Sequence, residues 1–363
     1  MATSPHYYPA LDGVRAVAIA QVLALHGARS FAPGGFLGVD LFFTLSGFVI
    51  TRVLLHDYAQ HGRIRLGHFW SRRARRLLPA FAVLLVMSYV LWSGMPEPNP
   101  SYWAAALPAA AYMANFQAMV DPTQLGPLVH SWSLSTEEQF YLLWPPLLIW
   151  LLTLNRPLAV RLVLSIIVIA AVSRAALDTE KSWLANYYSP LVRVDELLAG
   201  CTLALIPQAE LGHYRPGYRF CAYLFLACWP WLLLKLSYDC HDLHAGGFTL
   251  FALGSMSLLS VAIDDAPTRL QRVLSHPWLI AVGKRSYGIY LYHLPIFMWF
   301  EQVRDPGDEL NFMWVSTLRL ACTLLIAELS YRFIEQPLLA RREPAPVAPV
   351  RLEERFSAPP SSR

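Results

Sequence analysis

The sequence predicts an all-α fold: a polytopic integral membrane helix bundle of about ten transmembrane helices, with N- and C-termini cytoplasmic. Composition is the first observation behind it. Of 363 residues, 55% are hydrophobic and 15% charged, and the mean hydropathy is +0.38, which is membrane-like before any motif is read. Apolar runs long enough to cross hydrocarbon are the second. The third is the placing of Lys and Arg, which concentrate in short segments as the positive-inside rule requires. The 12 Trp and 17 Tyr suit interfacial belts, and a net charge of only +4 leaves no nucleic-acid footprint.

Taken in order, the apolar runs fall near residues 10–28, 34–55, 77–95, 102–119, 133–153, 158–176, 191–207, 218–236, 247–263, 286–303 and 311–332. The cluster SRRARR, Ser71 to Arg76, is the densest positive loop and belongs in the cytoplasm, so the first run leads outward. If all the runs crossed, Arg269, Arg272, Lys284 and Arg285 would lie outside. If 102–119 does not cross, they return inside, and the loops YDCHDLHAGG and RDPGDEL go outside. That run is Ala-rich, short and contains Pro108, which suits a re-entrant or interfacial helix and leaves ten crossings. Residues 1–340 form one transmembrane unit, and 341–363 read as a disordered, Pro-rich cytoplasmic tail. Asp12 and Arg15 crowd the start of the first run, so it is expected to be retained rather than cleaved as a signal peptide. The five cysteines show neither a CxxC pair nor metal-ligand spacing, and are expected to be small core residues; no metal is expected.

The first span, LDGVRAVAIAQVLALHG, carries Arg15 and His26. Eleven residues are three helical turns plus about 20°, so the two share one face about 16 Å apart. Ionisable groups inside hydrocarbon face a protein interior or a watery path, which points to one long cavity. In the second run Asp40 lies near the level of His26. It is either an acid that orients the imidazole or a helix-start residue favoured by the dipole. Gly34, Gly35, Gly38 and Gly47 suit turns and close helix packing. Arg72, Arg73 and Arg76 are a topology anchor among lipid headgroups or a cradle for a polyphosphate.

Further on, Ser133, Glu137 and Tyr141 recur at spacings of four on one face, and an intramembrane Glu binds something polar, pairs with a cation or is protonated. Glu138 falls on another face, as a partner for an interfacial group. Arg193, Asp195 and Glu196 suggest structural ion pairing between helices. Ser286, Tyr290 and His293 form a polar stripe in an aromatic span, where a satisfied core histidine is the plainer reading. Glu328, Arg332 and Glu335 form a salt-bridge ladder.

Six segments, the Arg15-x10-His26 span, GVDLFFTLSGF, FWSRRARRLLP, SWSLSTEEQFYLLWP, SYGIYLYHLPI and YRFIEQP, occur in this order over residues 7–340. Together they resemble the membrane acyltransferase-3 family. The resemblance implies an enzyme that takes an acyl group, usually acetyl, from cytoplasmic acyl-CoA to a hydroxyl acceptor. The acceptor would be a glycan such as lipopolysaccharide or another surface polysaccharide, a lipid-linked sugar, or a macrolide-like small molecule. It implies residence in the inner (plasma) membrane, among membrane lipids. The family's first-span histidine and arginine fall on His26 and Arg15, its loop arginines on Arg73 and Arg76 with Arg72 adjacent, and its Glu-x-Gln-Phe-Tyr acid on Glu137. On this basis Arg72, Arg73 and Arg76 would hold the CoA phosphates. His26 would serve as general base or transient acyl carrier, Asp40 or Glu137 would steady it, and Arg15 would contact phosphate or the thioester carbonyl. Ser133, Tyr141, Tyr290 and His293 are substrate-binding candidates. Many members carry a C-terminal SGNH hydrolase-like domain. None is read here, so acceptor handling of that kind is expected to be absent or to come from another protein. The competing class is a transporter, whose paired halves are not evident in this sequence.

Overall fold

Every regular element among the described residues (7–28, 31–94, 101–179, 182–302 and 309–339 of a computed structural model) is helical. The first three helices are α1 (Pro9–Gly27), α2 (Leu37–His61) and α3 (Leu66–Ser93). Pro9 opens α1 where its missing N–H is no loss, and Gly62, at φ 67°, closes α2 in the left-handed conformation. The basic run expected as a loop is helical instead: Arg72, Arg73 and Arg76 lie within α3. Arg, Ala and Leu are strong helix formers, and Arg65, just before the helix, is anchored bidentately to Asp57.

The run 102–119 is two short helices, α4 (Tyr102–Ala110) and α5 (Ala114–Val120), separated where Tyr112 adopts φ 54°. At 1.5 Å per residue, each is far too short for a hydrocarbon core of about 30 Å. There follow α6 (Ser131–Leu151), α7 (Arg156–Leu177), α8 (Trp183–Tyr188), α9 (Val194–Leu205), α10 (Gln208–Leu211) and α11 (Arg215–Lys235). The last are α12 (Phe248–Ala262), α13 (Arg269–Leu274), α14 (Pro277–Glu301), α15 (Glu309–Ser330) and α16 (Gln336–Leu339). Among the described residues, seven segments are long and apolar enough to cross a membrane: Pro9–Gly27, Pro33–His61, Leu66–Ser93, Arg156–Leu177, Gln208–Lys235, Leu243–Ala262 and Phe312–Leu338. α6 and α14 have the length but carry the polar stripes, and α9 has only 12 residues. The tail at 341–363 lies outside the described residues.

Large apolar side chains cover the flanks, such as Val168, Ile169 and Val172 on α7 and Leu224 and Trp231 on α11. A surface this apolar is solvated by lipid. Cys221 and Cys228 also lie on that outer surface of α11, whereas Cys201 is in the core. Inside, α1 runs against α14 and α2 against α9. The second pair approaches through glycines. A Cβ at Gly47 would stand 1.8 Å from the Leu197 carbonyl oxygen, and one at Gly200 would stand 1.9 Å from that of Thr44. Small residues at such a crossing let the backbones touch.

Beyond α12, Asp264 accepts hydrogen bonds from Arg215 and Arg219 at 2.7–3.0 Å and from the Ala266 N–H at 3.0 Å. Burial opposes its charge. The Ala266 N–H, Tyr218 and the two guanidiniums outweigh that and hold the carboxyl below its ordinary value of 3.8.

Two outcomes are expected from these contacts. Gly47→Ala lowers the thermal midpoint of the purified protein, at a cost of roughly 1–3 kcal/mol. Gly67→Ala, at a position with open space around it, does not. Asp264→Asn also lowers the midpoint at neutral pH. Because the folded carboxyl titrates below 3.8, its contribution is present above that pH and is lost as pH falls through the folded value. The gap between Asp264→Asn and wild type, followed by thermal melting, therefore closes below about pH 4.

Candidate active site

Two adjoining cavities occupy the end of the bundle where α1 and α3 bring their arginines. The wider holds about 1050 Å³ between α1, α2 and α7, and Arg15, Arg52, His56, Arg76 and Arg156 line it among apolar residues. The narrower is a slot of about 110 Å³ bounded by Arg15, Arg73, Arg76, Ser46, Glu137 and Tyr290. Arg15, Val49 and Arg76 belong to both, so the two spaces adjoin there. Arg15 is balanced by Asp12 at 3.2 Å, and Asp12 also accepts from Tyr7 at 2.6 Å.

Helix periodicity sorts the α3 arginines. Residues three apart share a face and adjacent ones do not. Arg73 and Arg76 accordingly line the slot, while Arg72 lines neither cavity. Arg73 lies over the Tyr141 ring, 3.5 Å from its centroid, and pairs with Glu138 at 3.7 Å. Glu138 thus meets its interfacial cation, and Arg73 is tied to α6 rather than free to sweep the wide cavity.

The predicted face of α6 does line the slot. Tyr141 donates to Ser46 at 2.9 Å, Ser46 donates to Glu137 at 2.5 Å, and Ser133 and Tyr290 share a hydrogen bond of 2.5 Å. Tyr290 also donates to the His130 carbonyl at 2.9 Å. Ser46 was missed because a single serine before Gly47 carries no periodic signal; only its position opposite Glu137, 91 residues away, gives it a role.

Behind Tyr290 stand three imidazoles. His293 lies 5.6 Å from the Tyr290 ring centre to centre, His26 lies 4.9 Å from His293, and His130 lies 5.4 Å from His293. His293 Nδ1 contacts the Tyr290 carbonyl at 2.7 Å, and His26 Nδ1 contacts the Val22 carbonyl at 3.0 Å. A carbonyl only accepts, so in each neutral ring Nδ1 carries the proton. His293 Nε2 is then an acceptor, and it receives the His26 Nδ1–H at 3.2 Å. The basic nitrogen of His26 is Nε2. His26 lines neither cavity; His293, which contacts both it and Tyr290 of the slot wall, links the two. His130, buried at the start of α6, also escaped the sequence reading, although it opens the motif HSWSLSTEEQ.

Asp40 is not beside His26, and that expectation is corrected. Its carboxylate is bonded to Arg193, which also donates to Glu196 at 2.7 and 3.2 Å and lies over the Phe248 ring at 3.9 Å. Next to it, Arg174 holds Asp195 through bonds of 3.0 and 2.9 Å. All four side chains in these two Arg–Asp pairs are fully buried, so each carboxylate pairs with the nearest cation instead of a polarisable ring. The structural pairing expected of Arg193, Asp195 and Glu196 is present. In the expected ladder Glu328 bonds Arg332 and Arg285, while Glu335 turns inward to the Gly288 side of α14. Among the described residues no three His, Cys, Asp or Glu side chains gather into a metal-ligand set.

A bundle with lipid-facing flanks and its polar groups gathered on interior cavities is an integral membrane protein. Residues 8–332 match the profile of the acyltransferase domain, and the chain belongs to that family, the acyltransferase-3 membrane proteins. Across 92% of its length it is 34% identical to the peptidoglycan O-acetyltransferase OatA of Listeria monocytogenes and 34% identical to the putative peptidoglycan O-acetyltransferase YrhL of Bacillus subtilis. It is 30% identical to the O-acetyltransferase OatA of Staphylococcus aureus over a similar extent. The chain spans 56%, 55% and 58% of those three proteins, a little over half of each. No solved structure matches it.

If Asp40 is a structural partner of Arg193, Asp40→Asn and Arg193→Met both destabilise the protein. Removing one member of a buried pair costs about 3–5 kcal/mol. Thermal melting of the purified variants should show midpoints well below wild type, and a wild-type melt with selective loss of activity would return Asp40 to the catalytic machinery.

Proposed function

We propose that this protein is a membrane O-acyltransferase that moves an acetyl group from cytoplasmic acyl-CoA to a hydroxyl of a cell-surface glycan. The observation that carries the reading is that Arg15 and Arg76 line both a wide cation-lined cavity and the narrow slot adjoining it. CoA is a large polyanion ending in a small thioester, and the two spaces differ in the same sense. At about 110 Å³ the slot has several times the space a single water needs, at least about 10–15 Å³, so it has room for a two-carbon acyl group. By the positive-inside rule the arginine end faces the cytoplasm, with ten crossings and both termini on that side.

In this reading Arg15 and Arg76 guide the thioester inward, and Tyr290 gives way to let it meet His26. His26 Nε2 takes the proton of the acceptor hydroxyl as its oxygen attacks the thioester carbonyl. The carbon–sulfur bond then breaks, and the CoA sulfur leaves toward the cytoplasm and is protonated. His293 holds the His26 Nδ1–H, fixing the ring so that Nε2 is the base. Glu137, poised through Ser46 and Tyr141, balances the arginines of the slot. The relatives named as peptidoglycan O-acetyltransferases support a glycan acceptor at the outer face.

The test is transfer of labelled acetyl from acetyl-CoA into an alkali-labile ester in membranes containing the protein. His26→Ala should lower the rate by at least about 100-fold at equal protein level. Arg76→Ala should mainly raise the KM for acetyl-CoA. If His26→Ala transfers as well as wild type, His26 is structural and His293 becomes the candidate base.

A further inference from the structure

The end of α1 opposite Arg15 carries His26 in its last turn. The final carbonyls of a helix have no intrahelical donor, and such ends fray unless something holds them. Here the Gly27 carbonyl, one residue past His26, accepts from Nη2 of Arg319 on α15. The Arg319 side chain is only 3% exposed. The same guanidinium donates to Ser316 at 3.0 Å and to Glu301, the last residue of α14, at 3.3 Å. A planar fork that serves several acceptors at once is fixed in direction as well as in place. As a cation at a helix C-terminus it also meets the negative end of the macrodipole.

Arg319 reaches the imidazoles by a second route. Its guanidinium lies over the Phe297 ring, 4.9 Å from the centroid, and that ring meets His293 edge-on at 5.9 Å. A Cβ at Gly27 would stand 3.4 Å from Phe297 and 3.8 Å from Arg319, so both side chains close on the last turn of α1. His293 in turn accepts from His26 Nδ1 at 3.2 Å. The backbone of His26 is thus held through Gly27, and its ring through Phe297 and His293. Arg319 lines neither the slot nor the wide cavity, so its influence on the site runs through His26.

We propose that Arg319 is a positioning residue for acyl transfer: it holds the last turn of α1 so that His26 Nε2 is aimed at the acceptor hydroxyl. The assignment rests on the acyl-transfer reading above. A misplacement of about 1 Å at a reacting group costs on the order of 100-fold in rate, which sets the scale of the effect.

The experiment measures label transfer from acetyl-CoA in membranes for Arg319→Met and Arg319→Lys, each made in the wild-type chain and in His26→Ala, at equal protein level. Arg319→Met should lower kcat on the order of 100-fold with the KM for acetyl-CoA unchanged, and Arg319→Lys, which keeps the charge but loses the fork, about 10-fold. In His26→Ala neither change lowers the residual rate further, because the ring it positions is gone. Gly47→Ala supplies the contrast, since a general loss of folded protein lowers the rate by one factor whether or not His26 is present. An Arg319 variant that behaves in this second way has a merely structural role and overturns the proposal, as does a wild-type kcat in Arg319→Met. Should Arg319→Met fail to accumulate, Arg319→Lys decides the matter from its own pair of backgrounds. A wild-type protein that transfers no label defeats the acyl-transfer reading, and an undiminished rate in His26→Ala removes its base. Either result differs from a failure confined to Arg319.

Discussion

Pairing of charge inside a low-dielectric bundle is the constraint on which the rest of the structure depends. Arg193 of α9 binds Asp40 of α2 and Glu196 of its own helix, and Arg174 of α7 binds Asp195 of α9, with Thr249 of α12 donating to the same carboxylate at 2.5 Å. Four helices are thereby held in one register. The glycine crossing of α2 and α9 works with this network, because only a close approach brings Asp40 within reach of Arg193. Ion pairs of this kind add little net stability against an apolar alternative, yet they fix which partners meet. They leave α2 rigid, and α2 carries Ser46, Val49 and Arg52 to the two cavities.

The same constraint, applied to the other end, marks the site. At the Asp40 end each cation is answered by protein carboxylates. At the arginine end Arg15 is answered by Asp12, Arg73 by Glu138 and Arg156 by Glu210, while Arg52 and Arg76 have no carboxylate bonded to them among the described residues. Those that lack one line the wide cavity.

Much of this was legible in the sequence. The face shared by Ser133, Glu137 and Tyr141 follows from spacing alone, as does the stripe of Tyr290 and His293. Spacing gives the face of a helix, however, and not the partner across it. Asp40 and Arg193 are 153 residues apart, and His26 and His293 are 267 apart. No local pattern connects them, so Asp40 was read with the imidazole at its own level. Spacing alone also puts Arg73 and Arg76 on one face with Arg72 beside them, and in α3 the first two line the slot while Arg72 lines neither cavity. The lengthening of α2 to His61, past the apolar run, brought His56 and the last turns into the cavity wall, where composition gave no warning.

Placing the cations at one end also bears on transfer versus transport. A transporter carries its whole substrate past the midplane, so it must satisfy that substrate's charge along the entire route. Beyond Tyr290 the route offers three imidazoles, backbone carbonyls and one guanidinium, Arg319, which already donates to the Gly27 carbonyl and pairs with Glu301 at 3.3 Å. A phosphate leaving Arg15 and Arg76 would have to compete with Glu301 and the Gly27 carbonyl for that one cation. A neutral acetyl group meets no such barrier. On the acyl-transfer reading, the bundle therefore lets the acyl group pass while retaining its carrier on the cytoplasmic side, and the transition from guanidinium to imidazole along α1, from Arg15 to His26, marks where carrier and cargo part.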